Sequence, residues 1–90
     1  MSGARPTRKA IDDLRAAALE AVLVDARHDT VVVLGPRGRT HFFSPEGRLV
    51  SSVHYPTETI GKKTRMGQWR PAKEEEIKSL RARVEETTGS

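Results

Sequence analysis

The chain has 90 residues, no cysteine and a formal net charge of +4. A chain this short buries only about 60% of the surface that its unfolded form exposes, and without cysteine neither disulfides nor thiolate zinc sites can reinforce it. No apolar run approaches the roughly 18 residues that span a bilayer, and Asp12 and Asp13 interrupt any signal-like segment, so we expect a cytoplasmic protein with no membrane partner.

The positive charge is concentrated in the middle of the chain. Residues 31–71 carry seven Lys or Arg and two Asp or Glu, whereas residues 1–30 are neutral and residues 72–90 are slightly acidic. A basic block of this kind attracts phosphates or an acidic protein surface. The alternative is that the charge serves only to keep a small domain soluble.

We predict a flexible tail at 1–7, a single domain at 8–86 and a second tail at 87–90. The domain begins with a helix whose N-cap is Thr7. The helix is predicted to continue to about Ala26, although the segment AVLVDARHD also permits an early change to a strand. Its apolar stripe consists of Ile11, Leu14, Ala18 and Val22, widened by Leu19 and Leu23.

Three strands follow, at 30–34, 39–43 and 48–55, each rich in β-branched or aromatic residues. The two connections repeat the pattern Pro-x-Gly-Arg. Pro36 and Pro45 preset the second turn position, and Gly38 and Gly47 can then adopt the left-handed conformation that closes a type I turn with a bulge. Two such turns predict a three-stranded antiparallel meander.

The turn type also predicts the register of the meander. Gly35 is placed opposite Arg39, Ser44 opposite Arg48, and His41 opposite Ser51. One sheet face is then predicted to present Val31, Val33, His41, Phe43, Leu49, Val53 and Tyr55. The other is predicted to present Val32, Leu34, Thr40, Phe42, Val50 and Ser52. Since both faces are apolar, either helices cover both sides or one face contacts another chain.

Residues 57–70 are predicted to be irregular apart from a short helical turn at 57–60. Pro71 is predicted to lie in the first turn of a C-terminal helix, followed by the acidic segment KEEE, where the helix dipole favours negative charge. The narrow stripe Ile77, Leu80 and Val84 predicts an interaction surface for a groove or another helix. The predicted class is α+β, with an N-terminal helix, a three-stranded antiparallel β-meander, a basic irregular segment and a C-terminal helix.

Two segments are candidates for nucleic-acid binding. Arg37-Gly38-Arg39 resembles the core of the AT-hook, which implies insertion into an A·T-rich minor groove. The AT-hook continues with proline, whereas this chain has Thr40, and the second copy of the turn has Glu46 in place of Arg37, so turn geometry alone also explains the motif.

The second candidate is GKKTRMGQWR, residues 61–70, in which four cations flank a tryptophan. Lys62, Lys63, Arg65 and Arg70 can bind phosphates, and an exposed Trp69 could stack on a base. The competing and favoured interpretation of Trp69 is that it fills the small core, because the chain has only four aromatic residues.

The histidines do not predict a metal site or an enzyme. His41 and His54 are expected on opposite faces of the sheet, and His28 precedes the first strand. No phosphate-cradling glycine loop and no paired carboxylates suggest catalysis, so we expect no catalytic residues, metal, cofactor or small-molecule substrate.

The sequence therefore predicts a small basic accessory protein that binds DNA or RNA mainly through phosphate contacts. The residues expected to do so are Arg37, Arg39, Lys62, Lys63, Arg65, Trp69 and Arg70. The alternative is a protein-interaction module, either a homodimer or a small regulator that docks through the meander or the stripe Ile77, Leu80 and Val84.

Overall fold

A computed structural model describes residues 6–88 and contains one antiparallel sheet with helices on both sides. The helices are α1 (Arg8–Ala16), α2 (Thr57–Arg65) and α3 (Glu74–Thr88). The strands are β1 (Val22–Asp25), β2 (Thr30–Leu34), β3 (Arg39–Phe43), β4 (Leu49–His54) and β5 (Arg70–Pro71), in the spatial order β4-β3-β2-β1-β5. The predicted α+β class is confirmed, but the sheet has five strands rather than three.

The predicted tails lie largely outside the described residues, at 1–5 and 89–90. Within the described part, Pro6 is buried and Thr7 is the N-cap of α1, as predicted, because its Oγ1 accepts a hydrogen bond from the backbone N–H of Ala10 at 3.2 Å. None of the helices within residues 6–88 is long and apolar enough to cross a membrane.

The predicted continuation of the first helix to Ala26 is wrong, because α1 ends at Ala16 and the chain becomes extended. A short 3-10 turn, Leu19–Ala21, leads into β1, where Val22 and Leu23 are both buried on opposite sides of the sheet. A strand can bury consecutive residues in two separate cores, and this gain outweighs the high helix propensity of the alanines. Arg81 of α3 caps the helix end by donating from Nη2 to the carbonyls of Leu14 and Ala17.

One sheet face, here called the first face, holds the larger core. Helices α1 and α3 cover it, and the buried residues include Leu14, Val33, Phe43 and Leu49. The opposite side, called the second face, has a smaller core in which Trp69 packs on the sheet and partly buried aromatic residues surround it. Of the two alternatives left by the sequence, helices do lie on both sides, but α2 covers the second face only in part.

The two Pro-x-Gly-Arg turns close at the predicted positions but differ in conformation. The second is a type I turn with a bulge, as predicted: Gly47 has φ +86° and its N–H donates to the Ser44 carbonyl at 3.0 Å. In the first, Arg37 as well as Gly38 is in the left-handed region, with φ of 59° and 79°. The first turn is therefore not the predicted type I turn, and the repeated sequence does not produce a repeated structure.

A β-bulge in the β3–β4 pair, at Phe42 and Phe43, shifts the pairing of these two strands relative to the prediction. The β2–β3 pairing and the pair Phe43 and Leu49 are as predicted, but His41 lies opposite Ser52 rather than Ser51. Beyond the bulge the two faces of β4 are exchanged relative to the prediction. Ser52 and His54 therefore lie on the first face with His41, and the residues exchanged onto the second face are Val53 and Tyr55.

The segment before the C-terminal helix is more regular than predicted. Residues 57–65 form α2, Pro71 belongs to β5 rather than to the first turn of a helix, and α3 begins only at Glu74. The acidic first turn of α3 is confirmed, and Glu76 adds a cap because its Oε1 accepts the backbone N–H of Lys73 at 2.8 Å.

Thr30, on the second face, allows a test of how an unpaired buried hydroxyl affects the stability of the protein. Its hydroxyl is buried and has no hydrogen-bond partner among residues 6–88, whereas the buried hydroxyl of Thr40 donates to the carbonyl of Gly38 at 3.1 Å. We expect Thr30→Val to raise the free energy of unfolding by about 1 kcal/mol, because it removes an unsatisfied buried group at nearly constant shape. Thr40→Val, the matched control, should lower it by a similar amount. Urea denaturation of both variants measures the two changes, and destabilisation by Thr30→Val would show that its hydroxyl is bonded.

Candidate nucleic-acid interface

Two of the six cations predicted to bind phosphate are already paired inside the protein. Arg39 donates from Nε and Nη2 to the two carboxylate oxygens of Asp13, at 3.0 and 2.9 Å. Arg70 binds Glu76 in the same bidentate way, at 3.0 and 2.9 Å, and this guanidinium, with the Lys73 N–H, lowers the pKa of Glu76 to about 2. Both arginines therefore have an internal structural role.

The other four, Arg37, Lys62, Lys63 and Arg65, have no ion pair with an acidic residue in the described part of the chain. Arg37, Lys62 and Arg65 are exposed, and Lys63 is partly buried. Lys62 and Arg65 are three residues apart on α2 and therefore lie on the same side of that helix. This helix lies wholly within the described range, and none of its residues is buried.

The turn that carries Arg37 is attached to the segment that leads into α2. The backbone N–H of Tyr55, two residues before α2, donates to the carbonyl of Gly38 at 2.9 Å. The three-residue turn Pro36–Gly38 is thereby held beside the junction of β4 and α2. The fold thus links two parts of the basic block that are about 25 residues apart in sequence.

Trp69 is buried, as the favoured interpretation of the sequence predicted. Its side chain is 2% exposed, and its Nε1 donates to Oδ2 of Asp25 at 3.2 Å. It forms edge-on and tilted ring contacts with Phe42 and Tyr55, at centroid distances of 6.0 and 6.1 Å. An indole in this position is not available to stack on a base, so Trp69 must be removed from the predicted nucleic-acid contacts.

Lys63 connects the cations of α2 to these rings. Its Nζ lies 5.5 Å from the ring centroid of Tyr55 and 5.4 Å from that of Trp69. Ammonium groups at such distances are attracted by the negative faces of aromatic rings. The interaction holds the Lys63 charge at the edge of the second face, beside the exposed side of α2.

Asp25 organises the far end of this aromatic group. Its Oδ1 accepts the backbone N–H of His28 at 3.2 Å, and Oδ2 accepts Trp69 Nε1 and contacts Nδ1 of His28 at 3.0 Å. Burial raises the pKa of Asp25, but the hydrogen bonds from His28 and Trp69 outweigh burial, and the pKa lies below its ordinary value. One carboxylate thus fixes both the β1–β2 turn and the indole.

Asp13 forms a second network on the first face. His41 Nε2 lies 2.6 Å from Asp13 Oδ2, and His41 Nδ1 lies 2.8 Å from Ser52 Oγ. Since a carboxylate only accepts, Nε2 carries a proton and donates it to Asp13, while Nδ1 shares a hydrogen bond with the hydroxyl of Ser52. The Arg39 hydrogen bonds lower the pKa of Asp13, burial opposes them, and the His41 hydrogen bond lowers it further.

Serine, histidine and aspartate occur here in the order found in hydrolytic triads. However, the His41 side chain is 3% exposed, and the Asp13 carboxylate is also bound to a guanidinium. A general base must reach a substrate and pass its proton on, and a buried imidazole between β3 and β4 is poorly placed for either step. We infer that the network is a structural clamp between α1, β3 and β4.

The stripe predicted as an interaction surface on the C-terminal helix is buried within the chain itself. Ile77, Leu80 and Val84 are only 4%, 2% and 2% exposed, because α3 packs this stripe against the first face. The prediction that His41 and His54 lie on opposite faces is wrong, owing to the bulge. Within the described residues, no group of three or more His, Asp or Glu side chains is arranged to hold a metal.

Phe42, Tyr55 and Asp25 are important to this region and were not predicted from the sequence. The sequence predicts Phe42 and Tyr55 on different faces, because no recognisable pattern indicates the bulge between β3 and β4. A signal for Asp25 was present, since an aspartate at a strand end, three residues before His28, is typical of a side chain that caps a turn.

Comparisons with protein-family models, curated proteins and solved structures gave no match for this chain.

The clamp can be tested with Asp13→Asn. The asparagine keeps only one oxygen acceptor and no charge in the buried position of Asp13, so the hydrogen bonds from Arg39 and His41 are weakened, and we expect a loss of about 2 kcal/mol in the free energy of unfolding. The pKa of Asp13 is below its ordinary value of 3.8, so its stabilisation is present above about pH 4 and is lost as the pH falls through the lowered pKa. The part of the acid-induced loss of stability that is due to Asp13 should be absent in Asp13→Asn.

Denaturant midpoints measured between neutral pH and pH 2 give both the loss of stability at neutral pH and its dependence on pH. Asp12→Asn is the matched control, because Asp12 is the exposed neighbour on the same helix. Equal effects of the two substitutions at neutral pH would contradict the clamp.

Proposed function

We propose that this chain is a small nucleic-acid-binding accessory protein that contacts phosphates through Arg37, Lys62, Lys63 and Arg65. The observation that supports it most directly is the division of the basic block into paired and unpaired cations. Arg39 and Arg70 are neutralised internally, whereas these four have no acidic partner in the described range. Phosphate binding requires accessible positive charge, and α2 places three cations within four residues, at 62–65.

The charge of α2 is unevenly distributed along its length. Glu58 lies one turn before Lys62 on the same side of the helix, and the three cations follow at its C-terminal end. Since the C-terminus of a helix carries partial negative charge, cations there stabilise the helix and also extend toward solvent. We place the centre of the phosphate contacts at Lys62 and Arg65, with Arg37 as a more distant contact.

The proposal predicts a specific change in the salt dependence of binding. Each phosphate contact releases about one counterion, so the double variant Lys62→Gln/Arg65→Gln should make the negative slope of log K against log salt less steep by about 2. Arg8→Gln/Lys78→Gln is the matched control, because it removes the same net charge from exposed positions on α1 and α3, on the other side of the sheet. Fluorescence anisotropy with a labelled duplex and a labelled single strand at several salt concentrations measures the slopes.

Equal losses in the two double variants would mean that binding follows net charge and not this surface. Failure of the unmodified protein to bind either DNA or RNA at low salt would exclude the proposed function. Glu58→Gln provides a check of opposite sign, since removing the acidic residue of α2 should strengthen binding.

One observation supports the second candidate, a homodimer. Strand β4 lies at the edge of the sheet, so one side of its backbone has no strand partner among the described residues. Its sequence, LVSSVH, contains no Lys, Asp, Glu or Pro, which are the residues that usually protect an exposed edge, and Val50 is 47% exposed. Antiparallel pairing of β4 with a second copy would continue the sheet.

Light scattering at increasing protein concentration tests the homodimer. We expect a dimer that Val50→Lys converts to a monomer, because a lysine on the edge strand opposes pairing. Leu19→Lys is the control, since Leu19 is an equally exposed apolar residue, at 53%, outside β4. A strict monomer at the highest concentration reached would exclude this candidate.

A further inference from the structure

We infer that the second face binds one unstacked base of a single-stranded nucleic acid in the pocket beside Phe42 and Tyr55. The inference rests on the proposed function and names the kind of nucleic acid that the surface prefers. The pocket has a volume of about 310 Å³ and lies between the aromatic residues and the exposed part of β4. This volume is at the lower end of the range of small-ligand sites, about 300–1,000 Å³, and suits one planar group.

The walls of the pocket favour an aromatic ligand. Phe42 and Tyr55 are partly exposed and meet edge to face, with an interplanar angle of 87° and a centroid distance of 6.4 Å. Trp69 lies behind them and is fixed by Asp25, so the rings are held in place before a ligand arrives. A rigid aromatic wall binds a base at low entropic cost, and every base has a π face to offer.

The charge beside the pocket favours a ligand that is also anionic. Lys63 lines the pocket, and its ammonium lies over two of the rings. The carboxylate of Asp25 also lines the pocket, but it is already bound by His28 and Trp69. Lys62 and Arg65 continue the positive charge along α2. A nucleotide has both properties, a flat apolar base and a phosphate, and its phosphate would lie on α2 while its base enters the pocket. This complementarity favours a nucleic acid over an uncharged peptide as the occupant.

The state of the base determines which nucleic acids can use the pocket. In a duplex each base is stacked on both sides and paired at its edge, so it can enter only after leaving the helix. Loops and single strands present unstacked bases without that cost. We therefore expect single strands to bind more tightly than duplexes, with little preference for sequence, since stacking on aromatic residues is tolerant of base identity.

The test compares three fluorescein-labelled probes of about 12 nucleotides, a size within the range of single-strand sites. They are oligo-dT, a duplex of equal length and an abasic strand with the same number of phosphates. Oligo-dT should bind about tenfold or more tightly than the abasic strand, because one stacked base contributes about that factor. Emission of Trp69 should also change with oligo-dT and not with the abasic strand.

Variants of Tyr55 test whether the preference for oligo-dT over the abasic strand arises in the pocket. Tyr55→Leu should remove most of the difference between oligo-dT and the abasic strand, whereas Tyr55→Phe, which keeps the ring, should retain it. The comparison of probes uses the unmodified protein and does not depend on the folding of a variant. Equal binding of oligo-dT and the abasic strand would overturn this inference and leave the proposed function intact, while no binding of any probe would overturn both.

Discussion

The arrangement of α1 on the sheet depends on the hydrogen bonds that the carboxylate of Asp13 accepts. It accepts both donors of Arg39 and the imidazole of His41, and through His41 it reaches Ser52 on the neighbouring strand. Gly35 makes this approach possible, because a Cβ at that position would collide with the carboxylate. The core is small and has few aromatic residues, and a buried polar network therefore fixes how α1 lies on β3 and β4. Such a network must be fully paired to be stable.

Ion pairs and ring contacts within the chain determine which positive charges remain for the proposed phosphate binding. The seven cations of residues 31–71 look equivalent in the sequence, but the fold gives them different roles. Arg39 and Arg70 tie the chain to Asp13 and Glu76, and Lys63 is held over aromatic rings. The cations that remain accessible are Lys62 and Arg65 on α2, Arg37 on the first turn and Arg48 directly before β4. The proposed phosphate-binding surface is therefore defined as much by the acidic residues elsewhere as by the cations themselves.

Local patterns in the sequence predicted the local structure well. The strands from 30 onward, the closure of both turns and the cap at Thr7 follow from propensity and turn chemistry, which act over a few residues. The end of α1, the bulge at Phe42 and the burial of Ile77 were not predictable in this way, because each depends on packing against distant residues. For the candidate site, the basic segment was recognisable, but the aromatic pocket required the register that the bulge sets.

The order of the strands has a consequence for how the protein folds. Strands β1 to β4 each pair with their neighbours in sequence, and in the described range only β1–β5 joins strands far apart in the chain. Short loops close at low entropic cost, so α1 and the meander can form first, with the second face and the part of the first face that α3 covers still open to water. Residues 56–88 then supply Trp69 to one face and α3 to the other. The C-terminal third of the chain thereby removes apolar residues of both sheet faces from water.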